Sequence, residues 1–351
     1  MTGTSIDGLD ATLIEAEGEA LSLQCRVIES RSASYPDLGD RLQAVANSDP
    51  VTAQDLAAMA LELGRLHASL ASELVSPDLA VCVIPGQTLF HRPPQSLQLV
   101  NPWPVAHALS CPVLFDLRSS DIAAGGQGAP ITPLADWILF RDPQIPRVVI
   151  NLGGFCNATL LPPGATPDTV RGLDVCVCNQ LLDRCARLAI NADFDKDGAM
   201  AERGTLNAEA ASELRPILDR QTKSGLSLGS GDEASAWAVR HASELRPADL
   251  LATAAHTVGT HIGQVTTSML PDAECLLAGG GTHNRALVQA MCAHAKATTT
   301  QAHGVGISER ESACMAVLGL LALDGVPPTL AQVTGRADEV RNEGCWIGRA
   351  P

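Results

Sequence analysis

The sequence predicts an α/β protein built from two halves, with a ligand-binding cleft between them. Short apolar runs end in polar turns that contain glycine, whereas longer segments carry apolar residues every three or four positions. The first pattern is typical of buried strands and the second of amphipathic helices. One glycine turn opens the chain and a comparable turn follows the apolar run 147–152, which indicates a duplicated architecture.

The composition is that of an acidic globular protein. The chain has 351 residues, 46% hydrophobic and 18% charged, which suits one large domain or two medium ones. A net charge of −15 argues against nucleic acid or an anionic membrane as a partner. The 11 cysteines are scattered, and neither a secretory signal nor a bilayer-spanning apolar run is visible. We therefore expect a soluble protein of the reducing cytoplasm.

The first ten residues, M-T-G-T-S-I-D-G-L-D, form a glycine-rich polar turn that leads into an apolar run. Gly3 and Gly8 allow tight backbone bending, Thr4 and Ser5 add hydroxyls, and Asp7 adds a carboxylate. Such a turn can hold phosphate, with the acid placed among the oxygen ligands of Mg²⁺. An ordinary hairpin turn is the alternative interpretation.

The next segments predict a hairpin, a helix and a short strand. Residues 11–17 and 21–29 read as paired strands joined at 17–19, and residues 51–75 as a helix with Thr52 as its N-cap. The apolar residues of that helix recur at spacings of three and four and predict a core-facing stripe: Leu56, Met59, Leu63, Leu66 and Leu70. Polar residues that follow the strand 79–84 lie where α/β sheets bind ligands, and His91 is either one of them or a surface residue.

A further strand, 113–115, is followed by Arg118, Asp121 and the glycine loop 125–128. The guanidinium fork of Arg118 can bind a carboxylate or phosphate through two oxygens, although a salt bridge to Asp121 is the alternative. Strand 147–152 leads into the turn N-L-G-G-F-C-N, and strand 170–177 carries Asp174. An acid in so apolar a strand is costly unless it is paired or functional, which favours a catalytic role.

The remaining segments predict helices at 181–190 and 248–269, and a strand at 274–278 that leads into Gly279, Gly280 and Gly281 and then into a helix from Arg285. A strand, a glycine loop and a helix in that order commonly bind a nucleotide. A last helix, 307–323, has Ser308 as a candidate cap and Glu311 three residues on. Cys176 and Cys178, on one strand face near Cys156, are either buried small hydrophobes or part of a zinc site.

Several sequence motifs, which occur in order along almost the whole chain, resemble those of the anhydro-N-acetylmuramic acid kinase family. The N-terminal block reads G-T-S-x-D-G-x-D, and G-Q-T at 86–88 is followed by H-R-P at 91–93. The longest block is L-R-S-S-D-I-A-A-G-G-Q-G-A-P at 117–130. N-L-G-G-F-C-N at 151–157, G-L-D at 172–174 and G-G-G at 279–281 complete the set.

The resemblance implies a two-domain actin/hexokinase-like (ribonuclease H-like) α/β fold with mixed sheets and an interdomain active-site cleft. Residues 1–130 would form an N-terminal domain with the phosphate loop and part of the sugar site. Residues 131–325 would form a C-terminal domain with the catalytic aspartate and a nucleotide-binding glycine loop. The tail, 326–351, would return to the N-terminal domain, and the protein would be a homodimer.

The reaction implied by the resemblance uses ATP, Mg²⁺ and water to convert 1,6-anhydro-N-acetylmuramic acid to N-acetylmuramic acid 6-phosphate in cell-wall recycling. Asp174 would be the catalytic base, and Asp7 would reach Mg²⁺ through water. The expected nucleotide-binding residues are Gly3, Thr4, Ser5, Ile6, Asp7, Gly8, Leu9, Asp10, Asn151, Gly153, Gly154, Gly279, Gly280 and Gly281. The expected sugar-binding residues are Gln87, Thr88, Arg118, Asn179 and Glu311, although Glu311 also fits a helix cap.

The chain departs from the family's sequence at three places. Asp174 is followed by V-C-V-C-N where the family has T-G-P-G-N, Pro85 stands in place of histidine, and Asn101 in place of aspartate. These departures leave two alternatives open. One is a member that binds the muramyl sugar or nucleotide as a sensor without turnover, and the other is a kinase of the same fold for a different sugar.

Overall fold

Strands and helices both form the framework of this chain, which confirms the predicted α/β class. The computed structural model describes residues 1–3, 6, 8–74, 76–224, 232–337 and 344–348. Its strands are β1 (Gly8–Glu17), β2 (Gln24–Ser34), β3 (Cys82–Ile84), β4 (Gln87–Arg92), β5 (Gln95–Leu99), β6 (Val113–Phe115), β7 (Arg147–Leu152), β8 (Phe155–Leu161), β9 (Arg171–Val177), β10 (Glu274–Ala278), β11 (Lys296–Thr299) and β12 (Cys345–Ile347). Its helices are α1 (Pro36–Ala46), α2 (Ala53–Ser72), α3 (Trp103–Ala108), α4 (Ser119–Ala123), α5 (Pro133–Phe140), α6 (Asn179–Ile190), α7 (Ala208–Ser224), α8 (Asp232–Ala242), α9 (Pro247–Met269), α10 (Arg285–Cys292), α11 (Arg310–Leu323) and α12 (Ala331–Thr334).

The sheets are mixed, as predicted. The largest has the order β11-β10-β7-β8-β9, in which β11, β10 and β7 run parallel while β8 is antiparallel to both of its neighbours. In the sheet of order β12-β6-β3, β3 is parallel and β12 antiparallel to β6. Parallel pairs need long crossovers, which the helices between the strands supply.

The structure divides the chain into two compact units. Unit 1 is formed by Met1–Leu139 together with Glu309–Pro351, and unit 2 by Phe140–Ser308. Helix α11 belongs to unit 1 because it packs against β1 and β3. The functional roles assigned above to residues 1–130, 131–325 and 326–351 stay predictions.

Unit 1 begins with the predicted hairpin and helix. Strands β1 and β2 pair antiparallel, with a register irregularity between Leu13 and Ile14. Helix α2 has Thr52 as its N-cap, since the Thr52 hydroxyl accepts a hydrogen bond from the Asp55 amide at 3.2 Å. The predicted stripe is core: Met59, Leu63 and Leu70 are buried in one cluster, against which Leu56 and Leu66 pack.

The predicted capping box of α11 is wrong. The helix begins at Arg310 with Glu309 as its N-cap, and no side-chain cap is formed. Glu311 is therefore the second helical residue rather than the third, which is the position of the acid in a capping box. The side chain of Ser312 instead donates to the Glu309 carbonyl at 2.9 Å.

Unit 2 surrounds its five-stranded sheet with helices. Buried residues of β7 to β10 and of α6 to α10 form one continuous core. The predicted strands 147–152 and 274–278 match β7 and β10, and the predicted helix 248–269 matches α9. Within the described part of the chain, no helix has the length and apolar character needed to cross a bilayer.

Candidate active site

Two strand-then-glycine turns converge in unit 2. The side-chain amide of Asn179 donates to the Leu152 carbonyl at 2.9 Å, and its backbone N–H donates to the Gly153 carbonyl at 3.0 Å. A Cβ atom on Gly281 would lie 2.8 Å from the Asn179 side-chain oxygen. The turn after β7, the start of α6 and the glycine run after β10 therefore meet at one place.

Glycine is required at position 279 of this meeting point, both because of the backbone conformation there and because a Cβ atom has no room. Gly279 has φ of +85°, and a Cβ there would lie 2.7 Å from the side-chain oxygen of Asn151, closer than real Cβ atoms approach. Gly280 has more room, because its nearest neighbour would be the Asn179 amide nitrogen at 3.9 Å. The Gly154 carbonyl accepts from the Cys178 amide at 2.9 Å. The result is a turn of closely approached backbone, which suits a phosphate or ribose ligand.

Asp174 lies on β9 in the same unit. It pairs with Asn157 of β8, and Cys156 pairs with Cys176. The pairing skips Val175, so β9 has one extra residue at this point and forms a β-bulge. Asp174 is partly exposed, whereas Val175, Cys176, Val177 and Cys178 are all buried.

The cysteines after Asp174 are buried thiols. Burial raises the pKa of Cys178 to about 12 and that of Cys156 and Cys176 well above the usual range. A zinc ligand must be a thiolate, so these surroundings favour the small-hydrophobe interpretation. Among the residues that the structure describes, no group of three or more His, Cys, Asp or Glu could hold a metal ion. Cys178 also lies beyond the end of β9, so the prediction of one shared strand face with Cys176 is wrong.

The N-terminal turn lies in unit 1. Thr4, Ser5 and Asp7 are outside the described residues, and their predicted contacts with phosphate and Mg²⁺ stay predictions. Gly8, Leu9 and Asp10 begin β1, where Leu9 is core and Asp10 accepts from the Ser32 hydroxyl at 2.6 Å. Ile6 has φ of 57° and is buried, so the described ends of the turn are anchored in the fold.

Gln87 connects this turn to β4. Its side chain is completely buried, and its amide nitrogen donates to the Gly3 carbonyl at 3.1 Å and to the Thr88 carbonyl at 3.2 Å. The Tyr35 hydroxyl donates to the Gln87 side-chain oxygen at 3.4 Å. In this structure Gln87 supports the phosphate-loop candidate; its predicted contact with sugar, and that of Thr88, stay predictions.

Arg118 is the N-cap residue of α4 and donates from Nη1 to the Gly128 carbonyl at 2.6 Å. The carboxylate of Asp121 is completely buried and accepts from the Gly128 amide at 2.8 Å and from the hydroxyls of Thr329 and Thr334 at 2.6 and 2.7 Å. Arg336 forms an ion pair with Asp121, with its Nε 3.6 Å from a carboxylate oxygen. Asp121 thus organises the glycine loop that Arg118 contacts.

His91 lies near Arg118. Burial and the Arg118 charge lower the pKa of His91 to about 4, so its ring is neutral at pH 7. Its Nδ1 is 2.9 Å from the Ser96 hydroxyl, and its buried Nε2 has no hydrogen-bond partner among the residues that the structure describes. Beside the glycine loop is a cavity of about 220 Å³, lined by Pro93, Pro94, Ile122, Gly125, Gly126 and Gln127.

Glu311 is held by its neighbours on both sides. Arg310 is buried and donates from Nε to Asp136 at 2.8 Å and from Nη2 to the Thr132 hydroxyl at 3.0 Å, while a second oxygen of Asp136 accepts from Nη2. Ser312 lies 2.6 Å from the Thr12 hydroxyl of β1. The first turn of α11 is therefore anchored, and the backbone position of Glu311 with it.

Sequence reasoning missed the residues that support these sites. Arg310, Asp121 and the segment 329–337 were not predicted as parts of a site. The signal available for Arg310 was a charged residue at the start of an apolar helix, which reads equally well as a surface residue.

Comparison with known proteins gives one consistent result. A family model described as anhydro-N-acetylmuramic acid kinase matches residues 1–345. A relative of that name from Salinibacter ruber is 30% identical over 366 residues, covering 95% of this chain and 92% of the relative. Another from Acidiphilium cryptum is 33% identical over 347 residues, covering 95% and 93%.

Similarity to solved structures is weaker. An activator of 2-hydroxyisocaproyl-CoA dehydratase from Clostridium difficile, with bound ADPNP, has a TM-score of 0.44 at 12% identity, covering 87% of this chain and 92% of that one. A ROK family glucokinase from Streptomyces griseus, in complex with glucose and AMPPNP, has a TM-score of 0.37 at 13% identity, covering 88% and 99%.

Proposed function

This chain belongs to the anhydro-N-acetylmuramic acid kinase family, and from that membership we propose that it phosphorylates 1,6-anhydro-N-acetylmuramic acid at the expense of ATP. Water opens the anhydro ring in the same reaction, and the products are N-acetylmuramic acid 6-phosphate and ADP. The observation that carries the proposal is the family match over residues 1–345.

Asp174 is the proposed general base. It takes a proton from water as the water oxygen bonds to the anomeric carbon, and the bond between that carbon and O6 breaks. The freed O6 attacks the γ-phosphorus, and the bond from that phosphorus to the ADP oxygen breaks. The partial exposure of Asp174 on a strand whose following residues are buried supports this role, because a base must be reachable by water.

Phosphoryl transfer depends mainly on positioning and charge neutralisation, and the glycine turns of this chain provide backbone N–H groups for both. Asn151, Gly153, Gly154 and the run from Gly279 to Gly281 are proposed to hold ATP. Their convergence around Asn179 within unit 2 supports this assignment. The proposed phosphate contacts of residues 3–10 rest on the family resemblance and on the anchoring of Gly3 by Gln87.

Arg118 and Glu311 are proposed to bind the sugar. The fork of Arg118 suits the lactyl carboxylate, since one of its donors already fixes the orientation through the Gly128 carbonyl. Glu311 suits sugar hydroxyls, and the buried anchors on either side of it hold its position.

Mg²⁺ bound with ATP would neutralise phosphate charge. Mg²⁺ commonly takes one or two carboxylates and several phosphate and water oxygens, so a site with few protein ligands is adequate. The proposed protein contact is Asp7, through water. Because no three-residue metal cluster exists among the described residues, phosphate oxygens would supply most of the direct ligands.

The test is to incubate purified protein with Mg-ATP and the anhydro sugar in H₂¹⁸O and to analyse the products by mass spectrometry. We expect N-acetylmuramic acid 6-phosphate carrying ¹⁸O at the anomeric carbon. Product without the label would contradict attack by water at that carbon. Binding of sugar or ATP without any product would favour the sensor alternative.

The second alternative, a kinase for another sugar, rests on Pro85 and Asn101. Pro85 directly precedes G-Q-T, which contains the predicted sugar-binding residues Gln87 and Thr88. Asn101 is tightly held, since its amide donates to the Ala60 carbonyl at 3.0 Å. Assaying a panel of amino sugars under the same conditions distinguishes a kinase for another sugar from a kinase for the anhydro sugar. Turnover confined to a different sugar would replace the substrate proposed here.

A further inference from the structure

The β-bulge at Val175 sets the direction in which Asp174 points. Asn157 and Cys156 are consecutive on β8, so their side chains point to opposite faces of the sheet. Their partners across the ladder, Asp174 and Cys176, must follow them. In a regular strand two residues that far apart would share a face. The extra residue therefore turns Asp174 away from the face on which Cys176 is completely buried.

A bulge leaves a backbone group without its ladder partner, and here helix α7 supplies the replacement. The Thr222 hydroxyl donates to the Val175 carbonyl at 2.7 Å. Two residues further along β9, the Val177 amide donates to the Gln221 side-chain oxygen at 3.0 Å. Val175 is completely buried, so an unsatisfied carbonyl there would be strongly unfavourable.

His261 of α9 completes the arrangement. Its Nε2 lies 2.8 Å from the Thr222 oxygen, and a hydroxyl has one proton to give. The Thr222 hydroxyl lies 2.7 Å from the Val175 carbonyl and 3.2 Å from the Leu218 carbonyl of its own helix, and both carbonyls can only accept. The tautomer that satisfies these contacts has Nε2–H of His261 as the donor to Thr222. The other ring nitrogen, Nδ1, is 3.4 Å from a carboxylate oxygen of Asp219, whose side chain is half-exposed.

We propose that Thr222 and His261 are positioning residues for the phosphorylation: together they hold the bulge at Val175 and thereby the direction of the Asp174 carboxylate. The inference rests on the proposed role of Asp174 as the base. It explains how a strand that continues with the buried residues V-C-V after the aspartate still presents the carboxylate away from its buried face.

Kinetics of Thr222→Val and Thr222→Ser test the proposal. Valine keeps the shape and removes the donor, so we expect kcat to fall by about 10- to 100-fold, with KM for ATP and for sugar within about threefold. Serine keeps the donor, and kcat should stay within about threefold of wild type. His261→Leu should behave like Thr222→Val, and His261→Gln, which retains an N–H donor, should recover most of the loss.

Two controls distinguish a positioning role of Thr222 from a purely structural one. Thr257→Val removes another buried hydroxyl in unit 2, which donates to the Thr253 carbonyl within α9, and it should leave kcat unchanged. Values of kcat are expressed per ATP-binding site counted by calorimetry, so that misfolded protein does not contribute. Wild-type kcat in Thr222→Val, or an equal loss in Thr257→Val, would overturn the proposal.

Hydrogen–deuterium exchange gives a readout that needs no turnover. Peptides covering residues 171–178 should exchange faster in Thr222→Val than in Thr222→Ser, while peptides covering 147–152 should be unchanged. Equal exchange in the two variants would show that Thr222 does not hold the bulge. If wild type makes no product, the proposed reaction fails, and the exchange result still decides the structural half of the inference.

Discussion

At the scale of single residues, Asp174 is the position where chemistry and ligand binding can be separated. Asp174→Asn keeps the size and polarity of the side chain and removes its basicity. We expect turnover of the anhydro sugar to be abolished and the Kd for ATP to change by no more than a few-fold, about 1 kcal/mol. Product analysis and calorimetry measure the two effects.

The control for that variant is Asp168→Asn, which removes an exposed acid of the same unit whose carboxylate accepts from the Thr166 hydroxyl at 2.6 Å. It should retain turnover. Retained turnover in Asp174→Asn itself would remove Asp174 from the mechanism.

His67 makes the stability of the protein depend on pH. Its Nδ1 is 2.8 Å from the Leu63 carbonyl, and its buried Nε2 has no partner within the described part of the chain. Burial lowers the pKa of His67 from 6.5 to about 3. The unfolded chain therefore binds a proton first as pH falls. The contribution of a neutral His67 is complete above pH 6.5 and is lost progressively towards pH 3.

We expect the free energy of unfolding to fall with a His67-dependent slope of about 1.4 kcal/mol per pH unit across that window. His67→Leu should remove this part of the slope. Urea unfolding at several pH values measures it, and parallel curves for the wild type and the variant would contradict the assignment.

At the scale of elements, the first turn of α11 depends on one buried ion pair. Arg310 is 1% exposed and Asp136 of α5 is 0% exposed, so both charges have left water. Burial by itself lowers the pKa of Arg310, but the Asp136 carboxylate raises it above its usual value, and the guanidinium stays charged. Removing one partner would leave the other charge buried and alone.

We therefore expect Asp136→Ala to reduce the free energy of unfolding by roughly 3–5 kcal/mol, measured by denaturant titration. The double variant Asp136→Leu with Arg310→Met should recover much of the loss, because it removes both charges. Arg41→Ala, which breaks the exposed pair with Glu62, should change stability by less than about 1 kcal/mol. A similar effect for the exposed and the buried pair would refute the argument.

At the scale of the whole molecule, the net charge of −15 should oppose folding through self-repulsion. Adding about 0.15 M NaCl at pH 7 screens that repulsion and should raise Tm by roughly 1–3 °C. At a pH near the isoelectric point of 4.9 the same salt should have little effect. Calorimetric scans at both pH values measure it, and an equal rise at both would show that net charge is not the cause.

Local patterns were enough to predict many elements. Apolar periodicity and turn residues act between near neighbours in the chain. They predict the apolar stripe of α2, its Thr52 cap, the strands β6, β7 and β10, and the helix α9. The start of α11 was misplaced because Ser308 and Glu311 fit a capping pattern that the Glu309 cap replaced.

The sequence by itself determined the family and the α/β class, because these depend on residue identity and on short-range pattern; the role of Asp174 as the base stays a prediction. The tertiary structure decided which groups support the site. Thr222 meets Val175 across 47 residues and Arg310 meets Asp136 across 174. Such contacts depend on how strands and helices pack, and a one-residue bulge that redirects a carboxylate leaves no periodic trace in the sequence.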